Sequence, residues 1–234
     1  MRRLSVVKSI ASAWWDRRHP PPFPFDEPIQ LRRLPRYVVD RAVATTARRR
    51  NLDEPWITRD AIRLLDSLLR ADDVGLEYGS GGSTVWLAQR TRSVTAVEAY
   101  AYWGSYTQAR LDAAGITNAE LLLIEGERGS AEHRAAYVGA KPELEPRSLD
   151  YVFVDGDYRG PAMLRGIDLL KPGGLLILDN SNHYLPYPTR TLLRVTRPQS
   201  DDWQAVSRLV ESWRVVWTTN GVWDTTVWIK PAVG

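Results

Sequence analysis

Residues 74 to 84 read Val74-Gly75-Leu76-Glu77-Tyr78-Gly79-Ser80-Gly81-Gly82-Ser83-Thr84. The first five residues form a short, mostly apolar run of the kind that makes a buried strand. The next four include three glycines, which permit unusual backbone dihedrals and let the main chain approach a ligand closely. A helical run opens at Ser83, and the free N–H groups of a helix start can bind a carboxylate or a phosphate. Strand, glycine loop and helix start together predict a nucleotide-type binding site.

A second strand follows this loop and leads into an acidic residue. Residues 93 to 97 are strand-like, and Glu98 comes directly after them. An α/β nucleotide fold places its ribose-binding carboxylate about twenty residues after the glycine loop begins. A carboxylate at that point can accept hydrogen bonds from both hydroxyls of a ribose. Glu98 is therefore the predicted ribose ligand.

The spacing of the glycines distinguishes a dinucleotide-binding loop from other nucleotide-type loops. A dehydrogenase loop reads Gly-x-Gly-x-x-Gly, whereas the glycines here are Gly79, Gly81 and Gly82, with Glu77 ahead of them. This pattern disfavours a nicotinamide-binding domain. The order Glu-x-Gly-x-Gly-x-Ser resembles motif I of the class I S-adenosylmethionine-dependent methyltransferases, and the resemblance covers roughly residues 55 to 230.

The resemblance implies S-adenosylmethionine as the cofactor, with the glycine loop against its methionine part and the acid after strand two on its ribose. An aromatic residue among Tyr100, Tyr102, Trp103 and Tyr106 is a candidate to flank the adenine. The residues implied for the cofactor site are Glu77, Gly79, Ser80, Gly81, Ser83, Glu98, Gly126, Glu127 and Asp155.

The order of strand-like and helix-like runs predicts the fold. The two kinds alternate from residue 74 onward, which indicates a parallel sheet covered by helices on both faces. Two final strands meet at an Asn220-Gly221 turn, which is typical of a hairpin and implies one antiparallel strand. We therefore predict an α/β, Rossmann-like seven-stranded methyltransferase sheet in a domain of residues 55–234, preceded by a basic helical extension with a Pro-rich linker at residues 1–54.

Oxygen-bearing side chains stand at the predicted ends of strands four and five. These are Asp155 in one case and Asp179 with Asn180 in the other. Ligands bind at the carboxyl ends of parallel strands, and such hard oxygens suit Mg²⁺, Mn²⁺ or Ca²⁺. The set resembles the metal site of the catechol and caffeoyl-coenzyme A O-methyltransferases, so Asp155, Asp179 and Asn180 are the predicted metal ligands. The alternatives are an Asx turn at residues 179–180 and a metal-free role for Asp155 near the reacting methyl group.

These resemblances imply O-methylation of a small hydroxylated molecule with divalent-metal assistance, because a metal lowers the pKa of a bound hydroxyl. Residues 154–158 also resemble the Asp-Gly-x-His strand end of antibiotic-tailoring methyltransferases, with Tyr158 in place of the histidine. The lysine that serves the catechol enzymes as base is absent there. The candidate catalytic residues are therefore Asp155, Tyr158 and His183, although a lone loop histidine is more often incidental.

Basic residues are concentrated in the first 50 positions, which carry twelve Lys and Arg against four Asp and Glu, a net charge of +8. Residues 1–18 show an amphipathic helical pattern, predicted to lie on an anionic membrane surface or a partner, or to pack on this domain or a second subunit of a homodimer. Residues 35–49 are predicted to form a second basic helix with Tyr37, Val38, Ala42 and Val43 inward. The alternative function is a non-catalytic S-adenosylmethionine-binding or regulatory module whose basic arm binds a membrane or partner.

Composition excludes several other classes of protein. The chain has 234 residues and no cysteine, so it has no disulfide framework and no thiolate site. The part after residue 50 carries a net charge of −5, which disfavours a nucleic-acid groove across the domain. No apolar run has the length of a membrane span, and the N-terminus lacks the apolar core of a secretion signal. We therefore expect a cytoplasmic protein.

Overall fold

Seven strands form one sheet in the order β3-β2-β1-β4-β5-β7-β6. The computed structural model describes residues 34–50 and 54–232. The strands are β1 (Val74–Tyr78), β2 (Ser93–Glu98), β3 (Ala119–Leu123), β4 (Leu149–Val154), β5 (Leu170–Asp179), β6 (Arg214–Thr219) and β7 (Asp224–Ile229). The helices described are α1 (Leu34–Arg50), α2 (Arg59–Leu68), α3 (Gly82–Ala88), α4 (Ala101–Ala113), α5 (Ala131–Val138), α6 (Arg159–Leu169) and α7 (Asp201–Leu209).

The pairing of the strands confirms the predicted fold class. Strands β3, β2, β1, β4 and β5 pair in parallel. Strand β7 runs antiparallel to both β5 and β6, so β6 points the same way as the parallel strands. The carboxyl ends of all six parallel strands therefore lie at one edge of the sheet, which is where ligands bind in folds of this kind.

Alternate residues of each central strand enter two different cores, because side chains along a strand point to opposite faces. On one face Leu76, Val152 and Leu176 pack in a core that includes residues of α5, α6 and α7. On the other face Phe153 and Ile177 pack in a core that includes residues of α2 and α3. The strands are consequently buried on both sides, and only their ends are left to build a site.

Thr58 attaches the start of α2 to strands β6 and β7. Thr58 caps this helix by accepting a hydrogen bond from the Ala61 backbone N–H at 3.3 Å. The Thr58 backbone N–H donates to Thr225 Oγ1 at 3.1 Å, and the Thr58 hydroxyl bonds to that of Thr218. These contacts place the segment before α2 at the carboxyl edge of the sheet.

Two local predictions differ from the structure. The sequence Lys171-Pro172-Gly173-Gly174 predicts a stop between α6 and the next strand, but β5 begins at Leu170, so these residues belong to the strand. The reason is tertiary, since Leu170 pairs with Leu149 of β4 and the Gly173 N–H donates to the Lys230 carbonyl oxygen. In α1, Tyr37 is buried, but Val38 is 53% exposed and Val43 is 66% exposed. Ala42 is exposed as well, so the predicted inward face of that helix was wrong for Val38, Ala42 and Val43.

The predicted amphipathic helix at residues 1–18 and the Pro-rich linker that follows it lie outside the described residues. Within the described part of the chain, no helix combines the length and apolar character needed to cross a membrane.

Candidate active site

The glycine loop joins β1 to α3 at the carboxyl edge of the sheet. Its first residue, Gly79, has φ = 111°, a conformation that favours glycine. The Gly79 N–H donates to the Val97 carbonyl oxygen at 2.8 Å, which extends the pairing of β1 with β2 by one residue. Helix α3 then begins at Gly82. The predicted order of strand, loop and helix is therefore confirmed.

Glu77 lies beneath the loop and holds it in shape. Its side chain is fully buried, and its carboxyl oxygens accept hydrogen bonds from the hydroxyls of Ser83 and, at 2.7 Å, of Thr84. Burial raises the pKa of Glu77 to about 8, helped by repulsion from Asp155 and Glu98 and opposed by the two hydroxyl donors. Glu77 and Ser83 were predicted to line the cofactor, and the structure shows them bonded to each other between β1 and α3.

Glu98 and Ser80 meet at the end of β2. Glu98 Oε1 accepts from the backbone N–H groups of Ala99 at 2.8 Å and Tyr100 at 2.9 Å, while Oε2 accepts from Ser80 Oγ at 2.7 Å. Thr107 of α4 donates to Ser80 Oγ at 3.1 Å. Burial raises the pKa of Glu98. A carboxylate has about four acceptor positions, so the fixed Glu98 retains capacity for one ligand hydroxyl.

The loop after β3 is joined to its neighbours by Arg128, which sequence reasoning missed. Its guanidinium lies 3.6 Å from the centre of the Tyr100 ring and bonds to Asp157 at 2.7 Å. These contacts link the loops after β2, β3 and β4. Gly126 and Glu127 are exposed in the same loop, and Tyr100 is the aromatic candidate whose ring faces it. The sequence signal for Arg128 was only its position as a single basic residue directly after Glu127.

The first glycine of the loop is packed against the end of β4. The backbone N–H groups of Asp155 and Gly156 both donate to the Tyr78 carbonyl oxygen, at 2.9 and 2.6 Å. A Cβ atom on Gly156 would lie 2.7 Å from Gly79 N and 2.1 Å from Tyr137 Oη. The site therefore depends on the absence of a side chain at Gly156. Sequence reasoning missed Tyr137, because a helical tyrosine carries no local mark of this contact.

Arg159 donates all of its guanidinium N–H groups to oxygens at the ends of β4 and β5. Nε donates to the Gly156 carbonyl oxygen at 3.0 Å. Nη1 donates to the Asp179 carbonyl oxygen and, at 3.3 Å, to Asn180 Oδ1. Nη2 donates to the Asp155 carbonyl oxygen and, at 2.8 Å, to Asp155 Oδ1. Sequence reasoning missed this residue, although an acid and an arginine four positions apart are a familiar ion-pair spacing.

The predicted metal ligands do not fit a divalent cation. Asp155 Oδ1 and Asn180 Oδ1 face Arg159, whereas the Asp179 carboxylate accepts from Thr225 Oγ1 at 2.8 Å and from Asn180 Nδ2 at 2.7 Å. A cation needs oxygens that converge on one centre at about 2.0–2.6 Å. In the described part of the chain, no three or more His, Cys, Asp or Glu side chains form a group that could hold a metal. These oxygens therefore do not converge on one centre in this structure, and a metal at Asp155, Asp179 and Asn180 remains a prediction.

Tyr158 points toward the loop after β3. Its hydroxyl accepts from the Gly129 N–H at 2.8 Å and lies 2.9 Å from His133 Nδ1. We assign the tautomer in which His133 Nε2 donates to the Ile124 carbonyl oxygen at 3.2 Å, so that Nδ1 accepts the Tyr158 proton. This network places the hydroxyl of Tyr158 away from the end of β5, beside the loop after β3.

His183 lies beyond β5 in a short 3-10 turn, Ser181–His183. Its side chain is buried, and burial together with the nearby Arg159 lowers the pKa of His183 to about 3. The imidazole is therefore neutral at pH 7 and is a weak proton acceptor. The two predicted base candidates, Tyr158 and His183, consequently lie on opposite sides of Asp155.

A cavity of about 280 Å³ lies at the same edge of the sheet, between α1, residues 54–58 and the β6–β7 turn. Asp40, Trp56, Arg190 and Asn220 are among the residues that line it. It opens beside β6, which is separated from β4 by β5 and β7. The cavity is therefore distinct from the candidate active site at the carboxyl ends of β1 and β4.

Solved structures share this fold. A proposed O-methyltransferase from Klebsiella pneumoniae is 20% identical, with a TM-score of 0.51 over 97% of this chain and 96% of its own. A methyltransferase-like protein from Silicibacter pomeroyi is 21% identical, with a TM-score of 0.52 over 77% of this chain and 91% of its own. A proposed methyltransferase from Streptococcus mutans, solved in complex with S-adenosylhomocysteine, is 14% identical, with a TM-score of 0.50 over 74% of this chain and 99% of its own.

No protein-family model and no curated protein sequence matches the chain. The structural similarities identify the sheet as a Rossmann-like methyltransferase fold, as the sequence predicts.

Proposed function

We propose that this protein is an S-adenosylmethionine-dependent methyltransferase that methylates an oxygen of a small hydroxylated molecule. The observation that carries the proposal is the pairing of Ser80 with Glu98 beside the glycine loop, at the carboxyl edge of a methyltransferase fold. A glycine-rich loop backbone and a fixed, buried carboxylate suit the methionine part and the ribose of one cofactor. The proposed O-methyltransferase with the same fold, which matches nearly the full length of both chains, supports the choice of oxygen as the acceptor atom.

The chemistry that this site needs is mainly alignment. The sulfonium of S-adenosylmethionine is already activated, so the enzyme must hold an acceptor oxygen in line with the S–CH₃ bond. Asp155 is suited to that task, since it follows β4 beside Gly79 and its side chain is 31% exposed. Asp155 would accept the hydrogen bond of the acceptor hydroxyl and take up its proton as the methyl group passes from sulfur to that oxygen, with S-adenosylhomocysteine as the leaving group. Arg159 fixes the orientation of this carboxylate through the 2.8 Å bond to Oδ1.

Calorimetric titration with S-adenosylhomocysteine tests the cofactor assignment, and Glu98→Gln is the sharpest variant. Glutamine keeps an acceptor for the Ala99 and Tyr100 N–H groups, so the end of β2 is expected to stay in place. It replaces the charged oxygen that faces Ser80, and with it the proposed ribose acceptor. A hydrogen bond to a charged group contributes about 1.5–3 kcal/mol, so we expect the dissociation constant to rise by about 10- to 150-fold.

The matched control for this experiment is Ser80→Ala. It removes the hydroxyl that donates to Glu98 Oε2 at 2.7 Å but leaves the carboxylate, so we expect a smaller loss of affinity. Binding of NADH without binding of S-adenosylhomocysteine would overturn the cofactor assignment.

A non-catalytic or regulatory module would bind the same cofactor, so turnover must separate the two functions. Transfer of labelled methyl groups from S-adenosylmethionine to phenols, catechols and aliphatic alcohols would support the enzyme. Binding of S-adenosylhomocysteine with no transfer to any acceptor would favour the alternative.

We further propose that residues 1–18 attach the domain to an anionic membrane surface or to a second subunit. The support is their amphipathic pattern within a segment of net charge +8. Removal of residues 1–18 is expected to abolish binding to anionic vesicles or to convert a dimer into a monomer, measured by vesicle co-sedimentation and analytical ultracentrifugation. The shortened chain should still bind S-adenosylhomocysteine, as a control for folding. Unchanged vesicle binding and an unchanged sedimentation coefficient would exclude both roles.

A further inference from the structure

We propose that Arg159 is a built-in cation that takes the place of a divalent metal between the ends of β4 and β5. Two of the oxygens predicted to bind a metal, Asp155 Oδ1 and Asn180 Oδ1, accept hydrogen bonds from this one side chain. Three carbonyl oxygens of the same strand ends complete its surroundings. Carboxylate, amide and carbonyl oxygens are also the ligand types that Ca²⁺ and Mg²⁺ take.

The guanidinium has no donor left for another ligand at this position. It possesses five N–H groups in a fixed planar fork, and the five bonds above use each of them. The side chain is 11% exposed, so solvent cations have little access to the oxygens behind it. Arg159 is therefore a positioning residue, because it holds Asp155 and the two strand ends and does not itself reach toward a substrate.

The position of Arg159 in its helix supports a specific role. It is the first residue of α6, where the partial positive charge of the helix N-terminus disfavours a cation. The preceding residue, Tyr158, has φ = 47°, a left-handed conformation that is unusual for a residue with a side chain. Favourable contacts must offset both features, and the five oxygens supply them. The same chain therefore provides the positive charge that a bound metal would otherwise bring to these loops.

This inference does not depend on the proposed function, because cation binding can be measured without S-adenosylmethionine. Calorimetric titration of the full chain with MgCl₂, MnCl₂ and CaCl₂ is expected to show no saturable binding. The melting temperature should be the same in millimolar Ca²⁺ as in chelator. Saturable binding of any of these ions that is lost in Asp155→Asn would overturn the proposal.

The decisive variant is Arg159→Ala, which leaves the five oxygens around a space without a cation. We expect its melting temperature to fall and then to rise by several degrees in millimolar Ca²⁺, Mn²⁺ or methylguanidinium. Each of these can replace the missing positive charge, whereas a merely structural side chain would not be replaced by an ion. A melting temperature of Arg159→Ala that no such cation raises would contradict the proposal.

Arg165→Ala provides a matched control on the same helix. Arg165 donates to the Leu144 carbonyl oxygen at 3.4 Å and does not take part in the cluster at the strand ends. Its replacement should give no gain of stability in any of the cations. If Arg159→Ala does not fold, Arg159→Lys keeps the charge with three donors in place of five. That variant should melt below the wild type and should still bind no divalent ion. Acquired Mg²⁺ or Ca²⁺ binding by it would overturn the proposal.

Discussion

Replacing Gly156 with alanine is expected to destabilise the protein strongly and to abolish binding of S-adenosylhomocysteine. The added Cβ would lie 2.1 Å from Tyr137 Oη, 2.7 Å from Gly79 N and 2.9 Å from Gly79 Cα. Overpacking of a well-packed site costs about 1–3 kcal/mol, occasionally more. Two of these three contacts are to backbone, which cannot rotate away, so we expect the upper end of that range. Urea denaturation measures the loss of stability, and calorimetry measures the loss of binding.

Two further variants separate this steric effect from other consequences of losing a glycine. Gly104→Ala adds the same methyl group within α4, where its nearest neighbour would be Leu123 Cδ1 at 3.5 Å. It should be neutral or stabilising, since alanine favours a helix over glycine. Tyr137→Phe combined with Gly156→Ala removes the clash with the hydroxyl but leaves the clash with Gly79. The double variant should therefore recover little of the stability that Gly156→Ala loses. Wild-type stability of Gly156→Ala alone would show that the loops can move apart.

Glu77→Gln is expected to remove a large part of the dependence of stability on pH. Burial raises the pKa of Glu77 from 4.5 to about 8, so the folded state binds a proton that the unfolded state has released between these values. Stability contributed by this group is therefore complete below pH 4.5 and is lost as pH rises through 8. The free energy of unfolding of the wild type, relative to the variant, should fall by about 1.4 kcal/mol for each pH unit in this interval.

Urea denaturation of both proteins from pH 5.5 to pH 8.5 would measure this difference. Glutamine cannot ionise and can still accept a hydrogen bond from Ser83 or Thr84. The free energy of unfolding of the variant, relative to that of the wild type, should therefore increase toward high pH. Glu125→Gln is the matched control, because Glu125 is exposed in the loop after β3, and its curve should follow that of the wild type. Parallel curves for Glu77→Gln and the wild type would show that Glu77 is ionised in the folded protein.

The features that could be predicted from sequence are those encoded within a few residues of each other. The glycine loop and the acid at the end of β2 are such features, and each lies where the local pattern indicates. The alternation of apolar strands with helices predicts the parallel sheet for the same reason. In a parallel sheet the carboxyl ends of the strands share one edge, so the sequence could also indicate that Glu98, Asp155 and Asp179 approach that edge.

Only the tertiary structure decides which groups meet there and how they are paired. The sequence shows oxygen ligands at two strand ends, but not that Arg159 at the start of α6 fills the space between them. It does not show that Asp179 turns to Thr225, a partner 46 residues away on β7. Nor does it show that Tyr137 lies against Gly156, or that Tyr158 pairs with His133. Hydrophobic and glycine patterns repeat locally and determine the elements by themselves, whereas the direction of each side chain depends on packing between elements that are distant in the chain.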